Sequence, residues 1–288
     1  MVETPRKTAS WQGFGTLGKL TVNLLAAGSV LYSLGMIAYF ILRLLVGERS
    51  SLVALGSSLM PPALLPALPL QVALLALGRR KAALLLLPST LWFLFQYGPF
   101  FLPRGSAVPE GASQLRVMSF NLGGRVGDYD ALIALIRSTD ADVVALQEFS
   151  MLTSDTLAQG LADDYPHQAL NPGNRFAHGV GLFSRYPIVD DFYYADFALG
   201  SQRTRLDFNG TPITIYNAHP VSPQTQGGFD GARRSAEIAV LLADAAEEAL
   251  PMLLVGDFNT TDQSEDYGLI RAQYGDAFRA VGWGLGPT

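Results

Sequence analysis

A chain of 288 residues with no cysteine excludes a disulfide framework and any thiolate metal site. At 49% hydrophobic residues it is apolar for a soluble protein of this length, and its net charge of −5 hides a split. Residues 1–110 hold nine Lys and Arg against three acids, +6, whereas residues 111–288 hold eleven Arg, no Lys and twenty-two acids, −11. The second part is therefore a poor surface for nucleic acid, whose partners usually show a basic face. An acidic surface can still hold a divalent cation that neutralises one substrate phosphate.

In chain order, a tail at 1–19 precedes three uncharged apolar stretches, 20–42, 50–78 and 82–103. A helix needs ~20 apolar residues to cross a bilayer, so each stretch is long enough, and three transmembrane helices are expected over 20–102. The second contains Pro61, Pro62, Pro66 and Pro69, which can kink it or shorten its helix. The third is crowded with aromatics near its end, which suits the membrane–water interface. A signal peptide is the rival for the first stretch, but its apolar core would be only ~7–15 residues. Lys and Arg are more numerous in the tail and the second loop (six) than in the first loop and after the third stretch (three). This places the N-terminus in the cytoplasm and everything after Arg104 outside it.

A Pro/Gly/Ser linker is expected at 103–114. From 115 to 288 the texture changes to short strands alternating with helices. Strands are expected at 115–121, 142–148, 179–185, 204–208, 213–219 and 252–259. Helices are expected at 129–138, 151–162, 231–249 and 263–274. No internal repeat is present.

Several of these strands end alike: Asn121, Glu148, His219 and the pair Asp257 and Asn259 each close an apolar run. Residues two apart on a strand share a face, so Asp257 and Asn259 project together. Such ends can gather in one cleft, and the set suits phosphate-ester hydrolysis. Glu148 and the Asn121 amide offer oxygen ligands for Mg²⁺ or Mn²⁺. Asp257 can orient or deprotonate an attacking water. Asn259 and His219 can donate to non-bridging oxygens, and Arg203 or Arg205 can add a fork to the phosphate. His178 is a further substrate-binding candidate, although it closes no apolar run. The bland alternatives stay open at this point: a rim Glu148, a turn Asn121 before Gly123, a loop His219, solvated Arg203 and Arg205. A calcium loop at 257–268 is excluded, because its sixth position is Asp262 and its twelfth Gly268.

The segments LRVMSFNLGG, DVVALQE, GVGLFSRYPI, ITIYNAHP and LLVGDFNTT occur in this order. Together they resemble the endonuclease/exonuclease/phosphatase superfamily, the DNase I-like fold, over roughly 114–288. The resemblance implies a two-sheet α/β sandwich and Mg²⁺-dependent phosphoesterase chemistry. It implies metal binding by Asn121 and Glu148, phosphate contact by His219, water activation by Asp257 and phosphate binding by Asn259. An anchor of three spans before this domain is similar to bacterial membrane members such as the VanJ-type teicoplanin-resistance proteins. That subgroup implies an exported domain acting on phosphorylated small molecules or lipids, such as polyprenyl diphosphates. No protein partner can be read from the sequence. The family's C-terminal Asp-His pair is not found after Asn259. The chain is therefore expected to be C-terminally incomplete and weakly active or inactive as it stands. A membrane-bound nuclease and a catalytically inactive domain that binds a phosphorylated ligand are the alternatives.

Overall fold

A computed structural model describes residues 15–102, 110–124, 126–174, 178–225, 228–229 and 231–285. Most of the tail and residues 103–109 of the expected linker lie outside them. The chain forms two compact units, Met1–Ala107 with Thr261–Thr288, and Val108–Thr260. The sequence suggests one domain over 115–288. In the structure, residues from Thr261 onward belong to the first unit, through bonds such as Tyr97 Oη to Asp262 Oδ1 (3.0 Å) and Trp92 Nε1 to Gln263 Oε1 (3.0 Å).

The first unit begins with α1 (Thr16–Val46), followed by α2 (Ser51–Leu64), α3 (Ala67–Ala76), α4 (Arg80–Leu85) and α5 (Leu87–Tyr97). The three expected spans are thus not three helices. Among the described residues α1 alone is long and apolar enough to cross a bilayer, and α2 with α3 reach that length only as a pair bent by 47°. The reason is local. Pro61 and Pro62 sit inside α2, Pro66 stands at the start of α3, and Pro88 lies in the first turn of α5. Proline lacks the N–H that the preceding turn needs, so a long apolar run breaks into short helices. The outer faces stay apolar: Leu24, Leu31 and Leu44 of α1 are 64%, 74% and 87% exposed.

The second unit opens with β1 (Val117–Asn121), α6 (Tyr129–Thr139), β2 (Val143–Gln147) and α7 (Met151–Gly160). It continues through β3 (His167–Pro172), β4 (Gly179–Ser184), β5 (Ile188–Tyr193), β6 (Gln202–Phe208) and β7 (Thr211–Ala218). The short β8 (Gln224–Thr225) and β9 (Gly228–Phe229), then α8 (Ala232–Glu247) and β10 (Met252–Gly256), complete it. Two further helices, α9 (Glu265–Gln273) and α10 (Ala277–Val281), belong to the first unit.

Two four-stranded sheets result, in the orders β1-β2-β4-β3 and β10-β7-β6-β5. Their inner faces meet over Val143, Leu182, Leu206, Ile213 and Ile215. Helices α6 and α7 cover the outer face of the first sheet through Leu132, Ile136, Leu157, Val144 and Phe183. One buried polar bridge crosses the sandwich. Gln147 Nε2 donates to Asn217 Oδ1 at 2.7 Å, and Asn217 Nδ2 donates to the Leu146 and Gly181 carbonyls. Buried amides left unpaired would each cost ~1–3 kcal/mol, so this closed set fixes how the sheets align.

Topology brings the expected site together. β1 runs parallel to β2, with Asn121 opposite Gln147, and β10 runs parallel to β7, with Gly256 opposite Ala218. Parallel neighbours end at the same edge, so the residues that follow these four strands share one rim.

Candidate active site

At that rim the amide of Asn121 sits between two carboxylates. Its Nδ2 donates to Asp257 Oδ2 at 2.9 Å and to Glu148 Oε1 at 3.2 Å. Its Oδ1 accepts the backbone N–H of Gly123 at 2.8 Å, which fixes the orientation of the amide. Asn121 therefore turns its nitrogen, not its oxygen, toward the carboxylates. In this geometry it positions them; as the metal ligand that the sequence expects, it would turn its oxygen to the cation.

Each carboxylate is held by local backbone. Glu148 follows β2 with φ +56°, a left-handed conformation that costs a non-glycine residue about 1–2 kcal/mol. The next residue is clamped: Phe149 N–H donates to the Gly179 carbonyl, and Gly173 N–H donates to the Phe149 carbonyl. Gly179 adopts φ +89°, and a Cβ there would meet this crossing of backbones. Asp257 follows Gly256, whose φ is +128° and whose Cβ would run into the Ala218 backbone. Asp257 Oδ1 accepts the Asn259 N–H at 2.9 Å, closing a tight turn in which Asn259 has φ +49°. Asparagine tolerates that conformation better than most residues. One Asn259 amide proton goes to the Pro220 carbonyl (3.0 Å), which leaves the other for a ligand.

His219 follows β7 and is 1% exposed, with its backbone N–H on Ser201 Oγ at 2.8 Å and its Nδ1 without a partner among the described residues. Burial pushes its pKa down to about 4; the charge of Asp257 opposes that shift and His178 adds to it. The imidazole is neutral at pH 7. The ring, which the sequence expects at a substrate phosphate, is buried and lies near enough to Asp257 for the two to act on each other electrostatically. His178 is half-buried and lies near enough to His219 to act on it electrostatically.

Arg203 and Arg205 are a correction. Side chains alternate along β6, and Gln202, Thr204 and Leu206 take the buried positions. Arg203 and Arg205 point to the opposite side and meet α8. Arg203 binds Asp244 at 3.1 Å and stacks over Phe192 at 5.3 Å, and Arg205 binds Glu248 at 3.1 Å. They brace a helix against the sheet and do not reach the rim.

Two residues of the site's support were not foreseen. Arg234, 2% exposed, donates to the Asn259 carbonyl at 2.9 Å. Glu237, 6% exposed, accepts the backbone N–H groups of Ala198 (3.0 Å) and Val221 (2.8 Å). Together they tie the turn after β10 and the loop after His219 to α8. The available signal was that Arg234 and Glu237 occupy the same helical stripe as Ile238, Leu241, Leu242 and Ala245.

The donor set fits a hard divalent cation. The bonds of 2.9 and 3.2 Å from one nitrogen place an oxygen of Asp257 and an oxygen of Glu148 within about 6 Å of each other, the sum of the two. Among the described residues no group of three or more His, Asp or Glu side chains converges on one point. Mg²⁺ needs no such cage, since it is commonly held by one or two carboxylates and keeps several waters.

The layers and the rim define an α/β two-sheet sandwich with an acidic site at the ends of parallel strands. The chain belongs to the endonuclease/exonuclease/phosphatase family, whose sequence profile matches residues 118–288. Similar solved structures include sphingomyelinase C from Streptomyces griseocarneus, at 22% identity over 56% of this chain and 70% of that one, with a TM-score of 0.46. Truncated TDP2 from Caenorhabditis elegans has 17% identity over 52% and 64%, TM-score 0.44. A Staphylococcus aureus beta toxin mutant with bound magnesium ions has 18% identity over 55% and 70%, TM-score 0.46. No curated protein matches the chain.

Proposed function

We propose that this protein is a membrane-anchored, Mg²⁺- or Mn²⁺-dependent phosphoesterase that hydrolyses phosphate esters, with lipid-linked polyprenyl diphosphates as its substrate class. The observation that carries this reading is the Asn121 amide bridging Glu148 and Asp257 where β1, β2 and β10 end. A bound divalent cation would polarise a phosphoryl oxygen and offset developing charge. Glu148 and Asn121 are the residues that would hold it, with the charge of Asp257 beside them. Asp257 accepts the proton of the attacking water, its carboxylate oriented by Asn259 N–H and Asn121 Nδ2. The second amide proton of Asn259 donates to a phosphate oxygen. The apolar faces of α1 and its neighbours support an anchor, and the Lys and Arg count supports a site outside the cytoplasm.

The test is phosphate release from a polyprenyl diphosphate by the full-length protein, with and without EDTA, beside nicking of plasmid DNA. Metal-dependent release supports the proposal. Nicking without release moves the protein to the nucleases, and binding without turnover makes it a phospho-ligand binding domain.

In the same assay Arg203→Gln should leave turnover within about threefold of the parent. It should lower unfolding stability by about 1–2 kcal/mol, because it removes a part-buried ion pair and a stacked cation. A tenfold loss of turnover with unchanged stability would restore Arg203 to the site.

A further inference from the structure

We propose that the first unit contains a separate binding site for the phosphate headgroup of an anionic phospholipid, in the cavity lined by Arg43, Trp92, Gln96 and Arg271. It is a depression of about 400 Å³ that lies open to its surroundings, and it shares no residue with the carboxylate rim.

Its lining carries two arginines against one carboxylate. Arg43 donates to the Gln263 carbonyl and to Ser57 Oγ at 3.3 Å, both neutral acceptors. Arg271 is exposed. Among the described residues neither arginine forms an ion pair, and the one carboxylate in the lining, Asp262, is taken by Arg279 at 2.8 Å and Tyr97 at 3.0 Å. Two guanidinium groups facing one open cavity match a phosphate better than any neutral group.

Its level matches a headgroup. Arg43 is the first charge after the uncharged run 20–42 of α1, 23 residues or about 34 Å of helix, which is the thickness of a hydrocarbon core. Trp92, whose Nε1 binds Gln263, is of the type enriched at that interface. Exposed apolar side chains stand next to lining residues in the chain: Leu44 beside Arg43 is 87%, Phe95 beside Gln96 73% and Leu269 beside Gly268 56% exposed. A water-soluble phosphate would find the arginines but leave these surfaces bare. A lipid covers both.

The proposal rests on the membrane-anchored reading, and the experiment separates the two. The full-length protein is mixed with vesicles of phosphatidylcholine alone, or of phosphatidylcholine with phosphatidylglycerol, and floated. Lipids retained after detergent extraction are then counted by native mass spectrometry. Failure to float overturns the anchor and this proposal together. Flotation with equal retention of the two lipids overturns the headgroup site and leaves the anchor standing. The expected result is retention of phosphatidylglycerol over phosphatidylcholine by about tenfold, one strong contact's worth. Arg271→Gln should bring that ratio close to one. Arg43→Gln is the second variant, read only where flotation persists, since Arg43 also bonds Gln263. An unchanged ratio in Arg271→Gln, or displacement of the lipid by millimolar inorganic phosphate, overturns the proposal.

Discussion

Replacing Asp257 by alanine in the full-length protein should lower turnover of a phosphate ester by about 10²–10⁴-fold, the worth of a positioned general base, while leaving the metal-free fold at least as stable. The stability half of this expectation follows from charge. Oxygens of Asp257 and Glu148 lie within about 6 Å, bounded by the bonds of 2.9 and 3.2 Å to one amide nitrogen. At that distance two like charges repel by roughly 1–3 kcal/mol between water-like and surface-like screening. One neutral NH₂ group offsets part of it. Removing Asp257 relieves the repulsion and loses its bond to the Asn259 N–H. A divalent cation reverses the sign, so millimolar Mg²⁺ should raise the melting temperature of the parent, as any ligand of the native state does. Glu148→Gln and Asp257→Ala should each abolish most of that rise. Melting curves with and without Mg²⁺ check this without any turnover. A tenfold or smaller loss of activity in Asp257→Ala, with the Mg²⁺ shift intact, would remove Asp257 from the site.

The rim was legible because its chemistry lies at the ends of apolar runs. Asn121, Glu148, His219 and Asp257 each stop an apolar run, and parallel pairing of β1 with β2 and β7 with β10 carries those stops to one edge. What was not legible depends on facing. Nothing in "SQRTRLDF" tells which side of β6 carries α8, so Arg203 and Arg205 read equally well as phosphate ligands or as braces. The bonds to Asp244 and Glu248 decide it. Strands β3 and β5 escaped because His167, Asp190 and Asp191 interrupt their half-exposed runs, whereas the other two sheet edges, β1 and β10, keep an apolar run. The apolar stretches after residue 50 misled in the other direction. The apolar count shows how long each stretch is, not where its helices stop: Pro66 separates α2 from α3, and Gly78, with φ +72°, lies between α3 and α4.

His219 should give the protein its own loss of stability on mild acidification. Its pKa falls from an ordinary 6.5 to about 4, first by burial, then by the like charge of His178, against the opposing pull of Asp257. In the window between these values the unfolded chain binds a proton that the folded chain refuses. Stability therefore rises with pH through the window, is complete above about 6.5, and is lost as pH falls toward about 4. The full swing is about 3 kcal/mol for one buried imidazole. Carboxylates titrate nearby, so the useful quantity is a difference between variants. Urea midpoints measured from pH 7 down to 4 should fall steeply for the parent and by about one proton less for His219→Gln, in which the other groups are unchanged. Asp257→Asn should extend the loss to lower pH, because it removes the one charge that favours the protonated ring. Equal slopes in the parent and His219→Gln would mean that the imidazole is already solvated in the folded protein. His219 would then be free to reach a substrate phosphate, as its place in the sequence suggests.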